Sequence, residues 1–393
     1  MEEAQRLAKL PTYVFALLDK LKAEQREKGK DLIDLSIGSP NVPPPPAVVA
    51  AMIEALHDPQ NYRYPSFEGS PVFKKAVVEW CRHQYNLKIE TSEVVELIGS
   101  KEGIIHLSFA FFNPGDTVLV PLPAYPAHFR GPILAGATPF VLPTIERNGF
   151  IPDLKNIDAS IADRAKMLII SYPTNPTGAC APVEFFEEAV AFARKHKMIL
   201  VHDFAYAELY FEGKKPVSCL SIPGAKEVCV EFHTLSKTFG MAGWRIGFAV
   251  GNTQIIESLR KIKTNIDYGV FPAVLSAAIV ALGLRDGGAD AYFEKTRQTY
   301  QKRRDIMVEG LNSLGWKLKK PMATMYIWAP VPSGFNSLSF TNHLLNKTGV
   351  VASPGTGFGD LGEGYIRISL VDKDSRLTEA VSRMKESGIK FNG

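Results

Sequence analysis

The chain has 393 residues, 46% of them hydrophobic and 22% charged, with a formal net charge of +4. Single cores stop growing near ~250–300 residues, so one large domain and one smaller domain are expected. The Lys and Arg residues form no long block, and no apolar run approaches the ~20 residues of a membrane span, which argues against a nucleic-acid or membrane partner.

In chain order, the N-terminus MEEAQRLAKLPTYVF is charged and lacks the apolar core of a signal peptide, so a cytoplasmic protein is the default expectation. Residues 12–27 carry helical periodicity, with Val14, Leu17, Leu18 and Leu21 on one face. This predicts an arm helix leading into a strand over Leu32–Ile37. The run Pro43 to Pro46 should be extended and stiff. Beyond it, short Val- and Ile-rich runs alternate with amphipathic stretches. Strands are expected at Val94–Ile98, Thr117–Val120, Met167–Ile170, Ile199–Val201 and Val228–Glu231, and helices near 71–84, 102–112, 183–196 and 271–284. That alternation predicts an α/β domain whose mostly parallel sheet lies between helices, with ligands at the carboxyl ends of its strands. From about 288 the rhythm changes. A long charged helix, Ala289 to Leu314, precedes a strand at Met325–Trp328, a helix near 337–347, the strand Tyr365–Leu370 and a helix near 374–387, which together predict a smaller α+β domain. The expected division is an arm over 1–46, a large domain over 47–287 and a small domain over 288–393. The four cysteines, Cys81, Cys180, Cys219 and Cys229, make no Cys-x-x-Cys pair and no metal spacing. They read as buried small hydrophobes of a reducing compartment, and no metal is expected.

Four segments carry chemistry. In TLSKTFGMAGWRIGF, 234–248, Thr234 and Ser236 can donate to an anion and Arg245 can fork onto phosphate oxygens. Lys237 lies among them, and an amine near other cations is harder to protonate and more available as a nucleophile. In VHDFAY, Asp203 falls at a strand end and Tyr206 three residues on. Asp203 reads either as the partner of a ligand nitrogen or as the cap of a following helix. In YPTNPTG, Asn175 lies between two prolines, and a plain tight turn competes with a ligand contact. In IGSKEGI, a strand, a short turn and a helix bring Ser100, Lys101 and free backbone N–H groups to a helix N-terminus, a ready anion site.

Taken together, these motifs resemble the fold-type-I pyridoxal-phosphate aminotransferases of class I/II, over nearly the whole chain and in the family's order. The run from Val201 to Gly251, with HDFAY, PGAKEV and EFHTLSKTFGMAGWRIGFAVGN, is most similar to the LL-diaminopimelate aminotransferase branch. RYPSFEGS, 63–70, points the same way. The resemblance implies an aspartate aminotransferase-like fold with a seven-stranded sheet, and pyridoxal 5'-phosphate as cofactor. It implies that Lys237 carries that cofactor as a Schiff base, that Asp203 pairs with its ring nitrogen, and that Tyr206 and Asn175 contact its phenolic oxygen. Ser100, Lys101, Thr234, Ser236 and Arg245 would surround the phosphate, and Tyr125 would stack on the ring. Tyr64 would reach the phosphate of a neighbouring subunit, which implies a homodimer with shared sites. Arg367, in YIRISL, would fork onto the substrate α-carboxylate, with the Gly38 backbone beside it and Tyr13 near the substrate. The segment GSPNVPPPP departs from the family by having Asn41 where an acidic residue is more usual, and residues 265–273 do not align residue by residue.

The expected activity is transfer of an amino group between an L-amino acid and a 2-oxo acid, with glutamate and 2-oxoglutarate as one pair. LL-diaminopimelate, aspartate and alanine are the partner substrates open at this point. A C–S β-lyase and a catalytically silent cofactor-binding regulator are the rival readings.

Overall fold

The computed structural model describes residues 2–11, 14–284 and 288–391. Its strands are β1 (Ile33–Asp34), β2 (Val94–Leu97), β3 (Thr117–Leu122), β4 (Thr138–Pro143), β5 (Ala165–Ile170), β6 (Ile199–Asp203), β7 (Cys229–Thr234), β8 (Gly247–Gly251), β9 (Tyr326–Pro330), β10 (Val350–Val351), β11 (Ser353–Pro354) and β12 (Tyr365–Ser369). Seven of them form one sheet in the order β2-β8-β7-β6-β5-β3-β4. All neighbours in it run parallel except at β8, which is antiparallel to both β2 and β7.

The central strands are apolar at nearly every position because both faces are covered. Leu119, Leu168, Ile170 and Leu200 belong to one core cluster, while Val118, Val120, Met167, Ile169 and Val201 belong to another on the opposite face. The helix Val183–Lys195 covers the first face through Phe185, Phe186, Ala189, Val190 and Ala193, one stripe at helical spacing. Across the other face, helix Ser100–Phe111 packs with Ile104 and Leu107.

A second core lies around the antiparallel sheet β11-β12-β9 and the parallel pair β1–β10. The long helix Gly288–Ser313 serves both cores. Ala289 and Phe293 join the first, whereas Tyr300, Met307, Val308 and Leu311 join the second. Tyr206, Leu209 and Phe211, which follow β6, also pack in the second core. Leu18, on the helix Val14–Glu27, packs against Leu345 and Val351.

The strand expected over Leu32–Ile37 is shorter: β1 pairs with β10 only at Ile33 and Asp34. The Asp34 carboxylate accepts from the Ser36 N–H at 3.0 Å, a local turn that bends Ser36, Ile37 and Gly38 out of the ladder and into the main cavity. No helix of the described residues is long and apolar enough to cross a membrane.

Candidate active site

The carboxyl ends of β5, β6 and β7 open onto a cavity of about 600 Å3. Immediately after β7 the chain makes a single helical turn, Leu235–Thr238, whose first N–H groups are capped by the Thr234 hydroxyl through Ser236 N at 3.2 Å. Lys237 stands on that turn and lines the cavity, and its Nζ donates to the Gly38 carbonyl. Burial, followed by the positive charges of Arg367 and Arg245, pushes the Lys237 amine down to about 7.

Asp203 ends β6. Its Oδ2 accepts from His128 Nε2 at 2.9 Å, and its Oδ1 is buried with no hydrogen-bond partner among the described residues. No helix begins at Asp203; a turn follows it, so it is not a helix cap. A buried carboxylate oxygen without a donor is costly, and Asp203 belongs to the lining of the cavity, where a ligand N–H could supply one.

Arg367, on β12, is buried. It donates to Asn175 Oδ1 at 2.9 Å, to the Ser36 carbonyl at 2.6 Å and to Ser353 Oγ at 3.4 Å. Its guanidinium lies 4.3 Å from the ring centroid of Tyr326 and 4.7 Å from that of Phe358. Tyr206 and Tyr326 share a hydrogen bond of 2.9 Å between their hydroxyls. Burial, reinforced by the Tyr326 hydroxyl, holds Tyr206 well above the usual phenol range, so it stays protonated.

A third group of side chains forms an anion seat. Gly99, at φ 78°, precedes the helix that opens with Ser100 and Lys101, both on the cavity wall. A Cβ at Gly99 would lie 2.4 Å from Arg245 Nη2, so glycine lets that guanidinium close on the helix end. Arg245, itself at φ 55°, is oriented by bonds to the carbonyls of Ala242 (2.8 Å) and Ile98 (3.4 Å). Thr234 and Ser236 line the same cavity, and Tyr125 forms part of its wall with its ring edge-on to His128 at 5.8 Å.

Two expected residues are not in this group. Tyr64 is 80% exposed and its ring lies tilted against Tyr268 at 4.7 Å, away from the cavity of its own chain. Tyr13 lies outside the described residues. Sequence reasoning passed over His128, Tyr326 and Phe358. His128 follows Tyr125 at a spacing of three, and Tyr326 alternates with Trp328 on one strand, but neither pattern points to a site without the fold. It also passed over Asp19 and Lys22 of the arm helix, which line the cavity as an ion pair of 2.6 Å. A separate cluster of Glu102, His106 and Asp267 brings its ligand atoms within 4.8 Å of one another. Lys263 supplies the cation there, 2.7 Å from Glu102 and 3.2 Å from Asp267.

A lysine with a depressed amine, an unsatisfied carboxylate, a buried arginine and a helix N-terminus ringed by donors lie around one cavity. Residues 30–384 match the family described as aminotransferase class I and II, and the chain belongs to that family of amino-group transferases. It is 48% identical over 392 residues to the LL-diaminopimelate aminotransferase of Halothermothrix orenii, with 100% of both chains covered. Among solved structures it is similar to substrate-bound BacF from Bacillus subtilis, at 36% identity and TM-score 0.95 over 100% of this chain and 99% of that one. It is also similar to a probable N-succinyldiaminopimelate aminotransferase from Thermus thermophilus, at 38% identity and TM-score 0.89 over 95% of this chain and 100% of that one.

Proposed function

We propose that the protein is a pyridoxal-phosphate-dependent aminotransferase that exchanges an amino group between LL-diaminopimelate and 2-oxoglutarate, as a cytoplasmic homodimer. One observation carries the reading: Lys237, with its amine held at about 7, shares a cavity with the unsatisfied Asp203 Oδ1 and the buried Arg367. The choice of LL-diaminopimelate is supported by the full-length relatives that carry that name.

The residues fit the cofactor. Asp203 Oδ1 lacks the donor that a protonated ring nitrogen would be. The N-terminus of helix Ser100–Phe111, with Lys101, Thr234, Ser236 and Arg245 around it, suits a phosphate dianion. Tyr125 offers a ring for stacking. Pyridoxal phosphate, when bound, supplies an aldehyde carbon that condenses with an amine and a protonated ring that takes up the electron pair left on Cα.

Every other part of the chemistry belongs to the chain. Arg367 forks onto the α-carboxylate, with the Gly38 backbone beside it. Asn175 spends its amide oxygen on Arg367, so its Nδ2 is left for the phenolic oxygen, to which Tyr206 also donates. Asp203, steadied by His128, holds the proton on the ring nitrogen. Burial and the nearby arginines hold the Lys237 amine below its ordinary range, so its Nζ can take the proton from Cα and later return it. The exposed cluster of Tyr64, Tyr268 and Phe67 supports a surface that a second subunit covers. The free thiols of Cys81, Cys180, Cys219 and Cys229 suit a reducing compartment.

The test is a spectral screen of the cofactor-loaded protein against LL-diaminopimelate, glutamate, aspartate and alanine. LL-diaminopimelate and glutamate should each bleach the visible band, 2-oxoglutarate should restore it, and initial rates should follow a ping-pong pattern. Full turnover by Lys237→Ala without added amine would sink the reading. Pyruvate released from cystathionine without a keto-acid acceptor would mark a β-lyase instead.

A further inference from the structure

Tyr206 and Tyr326 share one core but are carried into it from different sheets. Tyr206 follows β6 of the large sheet, whereas Tyr326 opens β9 of the small one. Both are buried, at 5% and 1% exposure, and their rings meet edge-on at 5.6 Å. Among the described residues, each hydroxyl has the other as its only hydrogen-bond partner. Glycine at position 38 makes room for this arrangement, since a Cβ there would lie 2.0 Å from the Tyr326 hydroxyl oxygen.

A phenol carries one proton. Two phenols joined by one hydrogen bond therefore have two arrangements. If Tyr206 donates to Tyr326, its proton is spent. If Tyr326 donates to Tyr206, the Tyr206 proton is left for a third atom in the cavity. Tyr326 has no other acceptor among the described residues, so an anionic oxygen in the cavity selects the second arrangement. The two bonds then form a chain, and each polarises the other. The Tyr326 ring has a second contact. On β9 it lies two residues before Trp328, which faces Arg367 in register, and this diagonal neighbour places the guanidinium over the ring at 4.3 Å.

We propose that Tyr326 is a positioning residue with two separable actions: its hydroxyl directs the Tyr206 proton toward the cofactor's phenolic oxygen, and its ring holds the plane of Arg367. The proposal rests on the cofactor reading above. It makes the hydroxyl and the ring of one side chain answer to two different measurements.

The experiment uses the cofactor-loaded full chain and follows the visible absorbance against pH. A phenolic oxygen held by a weaker donor is more basic, so Tyr326→Phe should raise the titration midpoint of the bound chromophore by roughly a third of a pH unit. Phe keeps the ring, so the KM for the amino acid should stay within about twofold. Tyr326→Leu removes both actions, so it should raise the midpoint and also raise KM several-fold. In a Tyr206→Phe background, adding Tyr326→Phe should move the midpoint no further. A midpoint unmoved by Tyr326→Phe, or a shift of the same size in the Tyr206→Phe background, overturns the proposal. A chain that takes up no chromophore overturns the cofactor reading itself and the proposal with it, an outcome distinct from a normal chromophore with an unshifted midpoint.

Discussion

The Arg367 guanidinium donates to the Asn175 amide oxygen at 2.9 Å, tying β12 of the small sheet to the turn that follows β5. An arginine can only donate, so the oxygen of the amide must face it and Nδ2 must face elsewhere. Asn175→Asp would set a full charge against Arg367, in competition with a substrate carboxylate. The KM for the amino acid should rise by about 10–100-fold, with a smaller change in kcat. Asn175→Ala should raise KM less. Initial rates over a range of donor concentrations decide the matter, and an unchanged KM in Asn175→Asp would detach the two residues functionally.

Lys237 gives a prediction about stability. Its amine titrates at about 7 in the folded chain, against an ordinary value of 10.5. Between those two pH values the unfolded chain binds a proton here that the folded chain does not. Stability of the cofactor-free protein should therefore rise with pH across that window, and the contribution is lost as pH falls toward 7. Lys237→Met removes the titrating group. The cofactor-free variant should melt above the wild type at pH 7, and the gap should narrow by pH 9 to 10. Thermal melts at three pH values test this, and a constant gap would refute the depressed amine.

Gly38 carries a steric prediction. An added Cβ would lie 2.0 Å from the Tyr326 oxygen and 2.8 Å from its Cζ, so Tyr326, which is 1% exposed, would have to shift. Gly38→Ala should destabilise the chain by about 1–3 kcal/mol and raise the KM for the amino acid, because Tyr326 and Arg367 shift together. A variant with normal KM and normal melting would show that the wall is softer than its packing implies.

Much of the fold was legible because β3, β5 and β6 are buried on both faces and so read as short, nearly unbroken apolar runs. The reversal of β8 was not, since hydrophobic pattern carries no strand direction. Leu32–Ile37 read as one strand because Leu32, Ile33, Leu35 and Ile37 dominate it, yet the Asp34 side chain makes a local turn there and the ladder ends early. Within the site, Lys237, Asp203 and Arg367 stood in recognisable segments. Tyr326 did not, because its partner Tyr206 is 120 residues away and only the fold brings the two into one core. His128 and Asp203 are likewise separated by 75 residues.

The departure at Asn41 has a structural account. Arg303, 7% exposed, donates to Asn41 Oδ1 at 2.7 Å and to the Leu370 carbonyl at 3.2 Å, with Asp374 at 3.4 Å. An acidic residue at 41 would meet the same guanidinium with a full charge. Asn41→Asp should therefore stabilise the chain by about 1 kcal/mol, seen as a higher melting temperature at pH 7 that is lost as the new carboxylate is protonated. A lower melting temperature would mean that desolvation of the added charge outweighs the pairing.

Asp203 offers the sharpest separation of binding from chemistry. Oδ2 is held by His128, and Oδ1 is the atom left for a ligand. Asn at this position keeps the shape and can still accept from His128 through its oxygen. The atom it then turns to the cavity is an NH2, which cannot accept a proton shared with a ring nitrogen. The proposed phosphate seat of Ser100, Lys101, Thr234, Ser236 and Arg245 is untouched, and so is Lys237. Asp203→Asn should therefore retain pyridoxal phosphate through desalting, as read by its visible absorbance, while kcat falls by about 10²–10⁴-fold. Loss of the cofactor in this variant would make Asp203 an anchor. Retained cofactor with near-normal kcat would remove it from the chemistry. His128→Phe should produce a smaller fall of the same kind, because the Asp203 carboxylate keeps its charge and loses only the donor that fixes its direction.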